Sequence, residues 1–324
     1  MMNHAVLVQA VDPPSVFVDL ARAVEASDAD HLFVADSSLH GRAVWPYLTL
    51  AATATERLRL GTGITHPLSR HPAVTANAAA TLDEISGGRA VLGIGSGDRP
   101  LLELSLRPSP VETLEDAIRG IRALLEGQTV TGAGLARASL LHPPERLVPI
   151  VVAASGPRTL RLAGRIADGV LMQVGTDPRC VEVAVREVID GARAEGRDPA
   201  DLWLSVMAYG SVRVDAAAAR AESRHFAAWI PQTVPRYCEI VGIPASDVER
   251  VRTVYAGGEL MKADAAAEVV TDAMVDAFTL AGNVDQVRER LADLASIGID
   301  HVTFFPMGED RIGGARRFAT AADL

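Results

Sequence analysis

The sequence predicts an α/β fold closed into a (β/α)8, or TIM, barrel, with a helical insertion after the seventh strand. Three observations predict it. Short apolar runs alternate with amphipathic stretches along nearly the whole chain, a rhythm that implies parallel strands joined by helical crossovers. There are eight such runs in 324 residues, which is what a closed barrel needs. The runs are continuously apolar (VLGIG, VVAAS, GVLMQV) rather than alternating, as in strands buried on both faces. A doubly wound open sheet uses the same units and stays open as the alternative, although eight repeats favour the barrel. The whole chain, 1–324, reads as one domain.

The first strand falls on residues 5–9, with a helix over 14–27. The second, 32–35, precedes a helix over 45–55. The third, 58–64, is rich in β-branched residues and ends in glycines; an Ala-rich helix over 72–85 follows it. The fourth, 90–94, also ends in glycines and leads to a helix over 111–126. The fifth, 150–153, feeds a helix over 157–166 that opens on Pro157, a residue suited to the first helical position. Strands at 169–173 and 203–208 precede helices over 178–195 and 215–229. Residues 231–272 exceed a normal loop and carry extra helical pieces, with Trp229, Ile230, Tyr237, Val241 and Ile243 as apolar anchors. An insertion at this rim is expected to cover the active site. A helix over 284–297 leads into the last strand, 301–305.

Hydrophobic residues make up 48% and aromatics only 4%, so the core must be built from Ala, Val, Leu and Ile. A net charge of −10 with few aromatics argues against nucleic-acid binding. An anionic ligand would need a local positive field from helix N-termini and a few arginines. Cys180 and Cys238 are the only cysteines, and no CxxC occurs. No disulfide framework or zinc site is expected, which suits a reducing cytoplasm. The start, MMNHAVLVQAVDPP, lacks a basic region followed by a long apolar run, so no signal peptide is expected. No window approaches the ~20 apolar residues of a membrane span.

Four strand ends carry candidate chemistry. The third ends in Gly61-Thr62-Gly63-Ile64-Thr65-His66-Pro67, a bulge or strained corner, or equally a plain turn. The fourth ends in Gly93-Ile94-Gly95-Ser96-Gly97-Asp98, which is not the GxGxxG fingerprint because Asp98 takes the last glycine's place. Asp98 suits either a helix cap or a hydrogen bond to a cofactor. The fifth ends in Ala153-Ala154-Ser155-Gly156-Pro157-Arg158-Thr159, where free N–H groups at a helix start can bind phosphate and Arg158 can add charge, or where an ordinary helix simply begins. The second ends at Asp36, either a catalytic or positioning carboxylate or a turn residue. No HExxH or other metal spacing appears among the histidines, and no GxSxG elbow, so zinc and serine-hydrolase chemistry lack support. In a parallel barrel the ends of strands two to five form one contiguous arc at the catalytic rim.

The run from Gly61 to Asp98, with RHPAVTANAAATLDEISGGRAVLGIGSGD, resembles the luciferase-like monooxygenase superfamily, and within it the F420-dependent, methylenetetrahydromethanopterin reductase-like branch. The likeness continues in VVAASGPRTLRLAGRIADGVLMQV, around Asp36 and over residues 278–305, and is weakest over 128–142 and 231–272. The resemblance implies a homodimeric oxidoreductase that moves a hydride between the deazaflavin coenzyme F420 and a small organic substrate. An FMN-dependent monooxygenase is the alternative, and a non-catalytic ligand-binding barrel is the alternative of another class. The resemblance places a cis peptide at Gly63–Ile64. It sets Thr65 and the loop Gly95, Ser96, Gly97, Asp98 beside the ring, and Ala154, Ser155, Gly156 and Pro157 near the cofactor phosphate. Asp36, His66 and Asp98 become the catalytic candidates. Ser37 stands where some relatives carry His, so a histidine-assisted mechanism at that site does not carry over, and His66 stands where the reductases often carry Asn, so the folate-like substrate does not carry over.

Overall fold

A strand whose side chains alternate between two apolar environments can be uniformly apolar, and the barrel uses that. The computed structural model describes residues 2–37, 39–98, 101–102, 104–132, 135–255 and 263–323. Its strands are β1 (Asn3–Gln9), β2 (His31–Ala35), β3 (Arg59–Thr62), β4 (Ala90–Ile94), β5 (Val130–Gly132), β6 (Leu135–Ala138), β7 (Ile150–Ala154), β8 (Gly169–Met172), β9 (Trp203–Gly210) and β10 (His301–Pro306). Eight of them close into a parallel barrel in the order β1-β10-β9-β8-β7-β4-β3-β2. Because β1 pairs with both β2 and β10, the open-sheet alternative is excluded. Ala5, Leu7, Phe33, Val91, Val151, Leu171 and Met207 fill the interior. Their sequence neighbours, such as Val6, Val8, Leu32, Val34, Leu92 and Val152, pack outward against the helices.

The helices are α1 (Pro14–Glu25), α2 (Val44–Ala54), α3 (Pro72–Ser86), α4 (Val111–Leu125), α5 (Pro157–Ile166), α6 (Pro178–Ala194), α7 (Ala216–Ala227), α8 (Trp229–Thr233), α9 (Arg236–Ile240), α10 (Ala245–Val254), α11 (Ala263–Ala267), α12 (Asp272–Phe278), α13 (Val284–Ser296) and α14 (Arg311–Ala322). The end of α8, helices α9 to α11 and the start of α12 fall within the expected insertion, and residues 256–262 of it lie outside the described residues. Tyr237, Cys238, Val251 and Tyr255 are fully buried there, so this segment is part of the core. No helix among the described residues is long and apolar enough to cross a membrane.

Three details differ from expectation. The antiparallel hairpin β5–β6 lies outside the barrel, and its strands of three and four residues are too short to signal it. The stretch expected as one helix over 215–229 breaks after Ala227, and Trp229 starts a new one. The closing helix α14 escapes the periodicity reading because it contains Gly313 and Gly314, poor helix formers. Gly313 is there for the cap: its N–H donates to Asp310 Oδ1 at 2.9 Å, and a Cβ would sit 2.1 Å from Asp310 Oδ2.

At the N-terminal mouth the register brings together histidines that sequence spacing keeps apart. Asp30 accepts from His31 Nδ1 at 2.8 Å and from His301 Nε2 at 3.0 Å, and Ser205 joins His301 Nδ1 at 2.8 Å. Burial favours the neutral acid at Asp30, but hydrogen bonds from His301 and His31 outweigh it and hold the carboxyl below its usual range.

Strands β3 and β4 approach each other closely. A Cβ on Gly93 would lie 1.9 Å from the Thr62 carbonyl, and one on Gly61 would lie 2.5 Å from the Val91 carbonyl. The Gly93 carbonyl accepts from Thr62 Oγ1 at 2.6 Å and from the Thr65 N–H at 2.9 Å. We expect Gly93→Ala to cost about 1–3 kcal/mol by forcing these strands apart. The measurement is a urea melt, and an unchanged midpoint would show that the approach is not required.

Burial pushes the His4 and His31 imidazoles below the ordinary histidine range, with Asp30 opposing in both. A histidine lowered in the folded state leaves the unfolded chain binding more protons once pH drops below about 6.5. Stability should therefore fall between pH 7.5 and 5.5. Asp30 does not offset this, because a depressed carboxylate loses its contribution only below the unfolded value near 3.9. His4→Gln should shrink the drop in melting temperature across that interval; a drop as large as the parent's would remove His4 from the account.

Candidate active site

The C-terminal ends of the barrel strands surround a cavity of about 410 Å³, within the usual range for a ligand site. Past β3, the Gly63–Ile64 peptide is cis, as the resemblance implied. Gly63 donates to Val34 O at 2.7 Å, and the chain then rejoins β4 through Thr65 N to Gly93 O and Gly95 N to Thr65 O at 3.0 Å. Space dictates the glycines. A Cβ on Gly63 would lie 2.6 Å from Phe33 Cβ, and one on Gly95 2.4 Å from Ile64 Cδ1. Gly95 thus sits behind Ile64, and it is Ile64 and Thr65 that face the cavity. Gly97, at φ +83°, turns the chain so that Ser96, Gly97 and Asp98 line the same wall.

Asp36 is buried, 5% exposed, and both its oxygens are engaged. Oδ2 accepts from the Thr65 hydroxyl at 2.7 Å and from Arg70 Nη1, and Oδ1 accepts from Arg70 Nη2 at 3.1 Å. The Thr65 hydrogen is therefore committed, which leaves its oxygen to accept from a ligand. Sequence reading missed Arg70, whose pairing with Asp36 spans 34 residues. His66 is 3% exposed and lines the cavity. Burial pushes its imidazole below the ordinary range; Asp36 opposes the shift and Arg70 reinforces it. At neutral pH His66 is an uncharged ring able to donate from one nitrogen and accept at the other.

Asp98 Oδ2 accepts from Trp229 Nε1 at 2.9 Å, and the start of the helix it was expected to cap, residues 99 and 100, lies outside the described residues. At the β7 end, Ala153, Ala154, Ser155 and Thr159 line the cavity, while Gly156 and Pro157 stand just behind it at the head of α5. Gly156 is an extended N-cap with no side-chain cap, so the first-turn N–H groups of α5 keep their donors for a ligand. Arg158 is exposed and paired with Glu112 of α4. Tyr237 reaches from α9 to donate to the Ser155 carbonyl at 2.7 Å. The arc expected on strands two to five is therefore assembled. The opposite wall, with Gln173, Met207, Tyr209, Phe226 and Phe305, carried no sequence signal.

A family model for luciferase-like monooxygenases matches residues 2–301. The chain belongs to that family. Among luciferase-like proteins it is similar to a 5,10-methylenetetrahydromethanopterin reductase of Methanolobus tindarius, 34% identical over 90% of each chain. It is also similar to an F420-dependent glucose-6-phosphate dehydrogenase of Microbacterium testaceum, 29% identical over 92% of this chain and 89% of the other. The solved structure of a coenzyme F420-dependent tetrahydromethanopterin reductase from Methanopyrus kandleri superposes with a TM-score of 0.85 at 26% identity, over 98% of this chain and 97% of that one. The luciferase-like barrel thus extends over the whole rim that carries the candidate site.

Removing Arg70 would leave the Asp36 carboxylate buried without its cation. We expect Arg70→Ala to destabilise the fold by about 3 kcal/mol, and Asp36→Asn in the same chain to recover part of that loss. Additive effects of the two substitutions in denaturant melts would show that the pair does not couple.

Proposed function

We propose that this chain is an F420-dependent oxidoreductase, moving a hydride between the deazaflavin and a small organic substrate. One observation carries the reading: the corner of Gly63, Ile64 and Thr65, backed by Gly95, opens onto a cavity that also touches the α5 helix start. Such a site suits a flat ring joined to an anionic tail. When bound, the deazaflavin supplies a carbon that gives or takes a hydride. In this reading Ile64, Thr65 and the loop Gly95, Ser96, Gly97, Asp98 hold the ring, and Ala154, Ser155, Gly156 and Pro157 hold the phosphate. The α5 dipole and its free N–H groups favour the anion without a dedicated arginine, consistent with the pairing of Arg158 to Glu112.

Hydride transfer to a double bond needs one proton at the other end of that bond. Asp98 and His66 both face the cavity and are the groups that carry it. Asp36, with both oxygens occupied, acts through Thr65 and is a positioning residue. A cytoplasmic homodimer acting on a small molecule, with no nucleic-acid partner, completes the reading; the net charge of −10 supports the last point.

Fluorescence titration checks the cofactor. F420 should bind at least tenfold more tightly than FMN, a difference of about 1.4 kcal/mol. The reverse order would make the chain an FMN-dependent monooxygenase, and binding of neither would leave a ligand-binding barrel. Gly156 has open space where a Cβ would go, so Gly156→Asp should keep its melting temperature and lose F420 affinity at least tenfold. Parental affinity in that variant would put the phosphate elsewhere.

A further inference from the structure

Aromatic residues are only 4% of the chain, yet Tyr209, Phe226, Trp229 and Phe305 all line this one cavity. Tyr209 and Phe226 stack at 3.7 Å between centroids and 16° between planes. Phe305 lies 5.1 Å from Tyr209 and 6.2 Å from Phe226. All three rings are only half-buried. They form a continuous aromatic face left partly uncovered at the cavity mouth, where aromatic area binds best to another flat apolar surface.

Topology sets this face opposite the glycine corner. Around the closed barrel, β9 lies four strands from β3 by either route, and β10 lies four strands from β4. Tyr209 stands on β9, Phe305 on β10, and Phe226 on the helix after β9. A ring resting on Ile64 and Thr65 therefore turns its other face toward Tyr209, Phe226 and Phe305. The charges are one-sided as well. Among the described lining residues Asp36 and Asp98 are acidic and none is Lys or Arg. An anionic group entering the cavity meets no lysine or arginine among the described lining residues.

Resting on the F420 reading above, we propose that the Tyr209–Phe226–Phe305 wall binds the reacting part of the substrate. That part is an uncharged, planar group with a conjugated carbonyl or alkene. In the reductive direction, a hydride from the reduced cofactor adds to one end of the substrate's double bond and a proton from solvent, relayed through Asp98 or His66, adds to the other. The bond is reduced and the cofactor oxidised. Sandwiching between two walls supplies the alignment that hydride transfer requires. Phe226 sits on a helix rather than a barrel strand, so it sets selectivity without holding the barrel together.

The test is calorimetric titration of F420-saturated protein with two probes that share one ring system, 4-methylcoumarin and 4-methylumbelliferyl phosphate. The neutral probe should bind at least tenfold more tightly. Phe226→Ala and Phe305→Ala should each weaken it at least tenfold while leaving the F420 dissociation constant unchanged, and Phe226→Tyr should restore it. If an alanine variant does not fold, Phe226→Leu, which keeps most of the volume but no ring, should show the same loss. Equal or tighter binding of the phosphate overturns the uncharged class, and parental coumarin binding in the variants overturns the wall. The same titration without F420 separates the two readings. Coumarin binding that depends on Phe226 in a protein that does not bind F420 leaves the wall standing and removes the cofactor. F420 binding without coumarin binding does the opposite.

Discussion

The site depends on how closely β3 and β4 approach each other. Ordinary parallel strands carry side chains on both faces. Here Gly61 and Gly93 each face a neighbouring carbonyl at a distance no Cβ could tolerate. With that space removed, the Gly93 carbonyl can take both the Thr62 hydroxyl and the Thr65 N–H. Those bonds fix the chain on either side of Ile64, and so decide what faces the cavity. Phe33 fills the volume the glycines give up, since its ring and Cβ lie against both Gly61 and Gly63. Packing and site geometry are one arrangement here, because the groups that keep the interior dense also aim Ile64 and Thr65 at the ligand.

Electrostatics add a second layer above this. Thr65 is oriented by Asp36, and Asp36 is held in turn by Arg70. A buried carboxylate is tolerable only with such partners. The chain carries a strong net negative charge, yet the β7 side of the cavity ends at the electropositive start of a helix. Local dipoles, not the global balance of charges, decide which end of an elongated anion goes where.

Much of this was legible in the residues. The eight apolar runs gave the barrel because parallel strands buried on both faces leave a continuous apolar signature. The glycine corners were visible because close backbone approach demands a particular residue type. The aromatic wall was not, since residues 209, 226 and 305 meet only when the barrel closes. The pairings of Arg70 with Asp36 and of Trp229 with Asp98 escaped for the same reason: each spans a long sequence separation, and an arginine or tryptophan alone carries no directional signal. The α14 helix was hidden by a glycine pair whose purpose, a close Asp310 cap, exists only in three dimensions.

The segment between β9 and β10 is fastened at two places on the rim, through Trp229 to Asp98 and through Tyr237 to the Ser155 carbonyl. These anchor points lie on the loop after β4 and at the end of β7, neighbouring strands of the barrel. A molecule occupying the rim must therefore either preserve both fastenings or displace one. Reciprocity of coupled equilibria then fixes the outcome: a ligand that firms the docking of this segment is itself held more tightly by a chain whose segment is already docked. Substitutions far out on α9 or α10, touching no ligand, would thereby tune affinity at the barrel mouth.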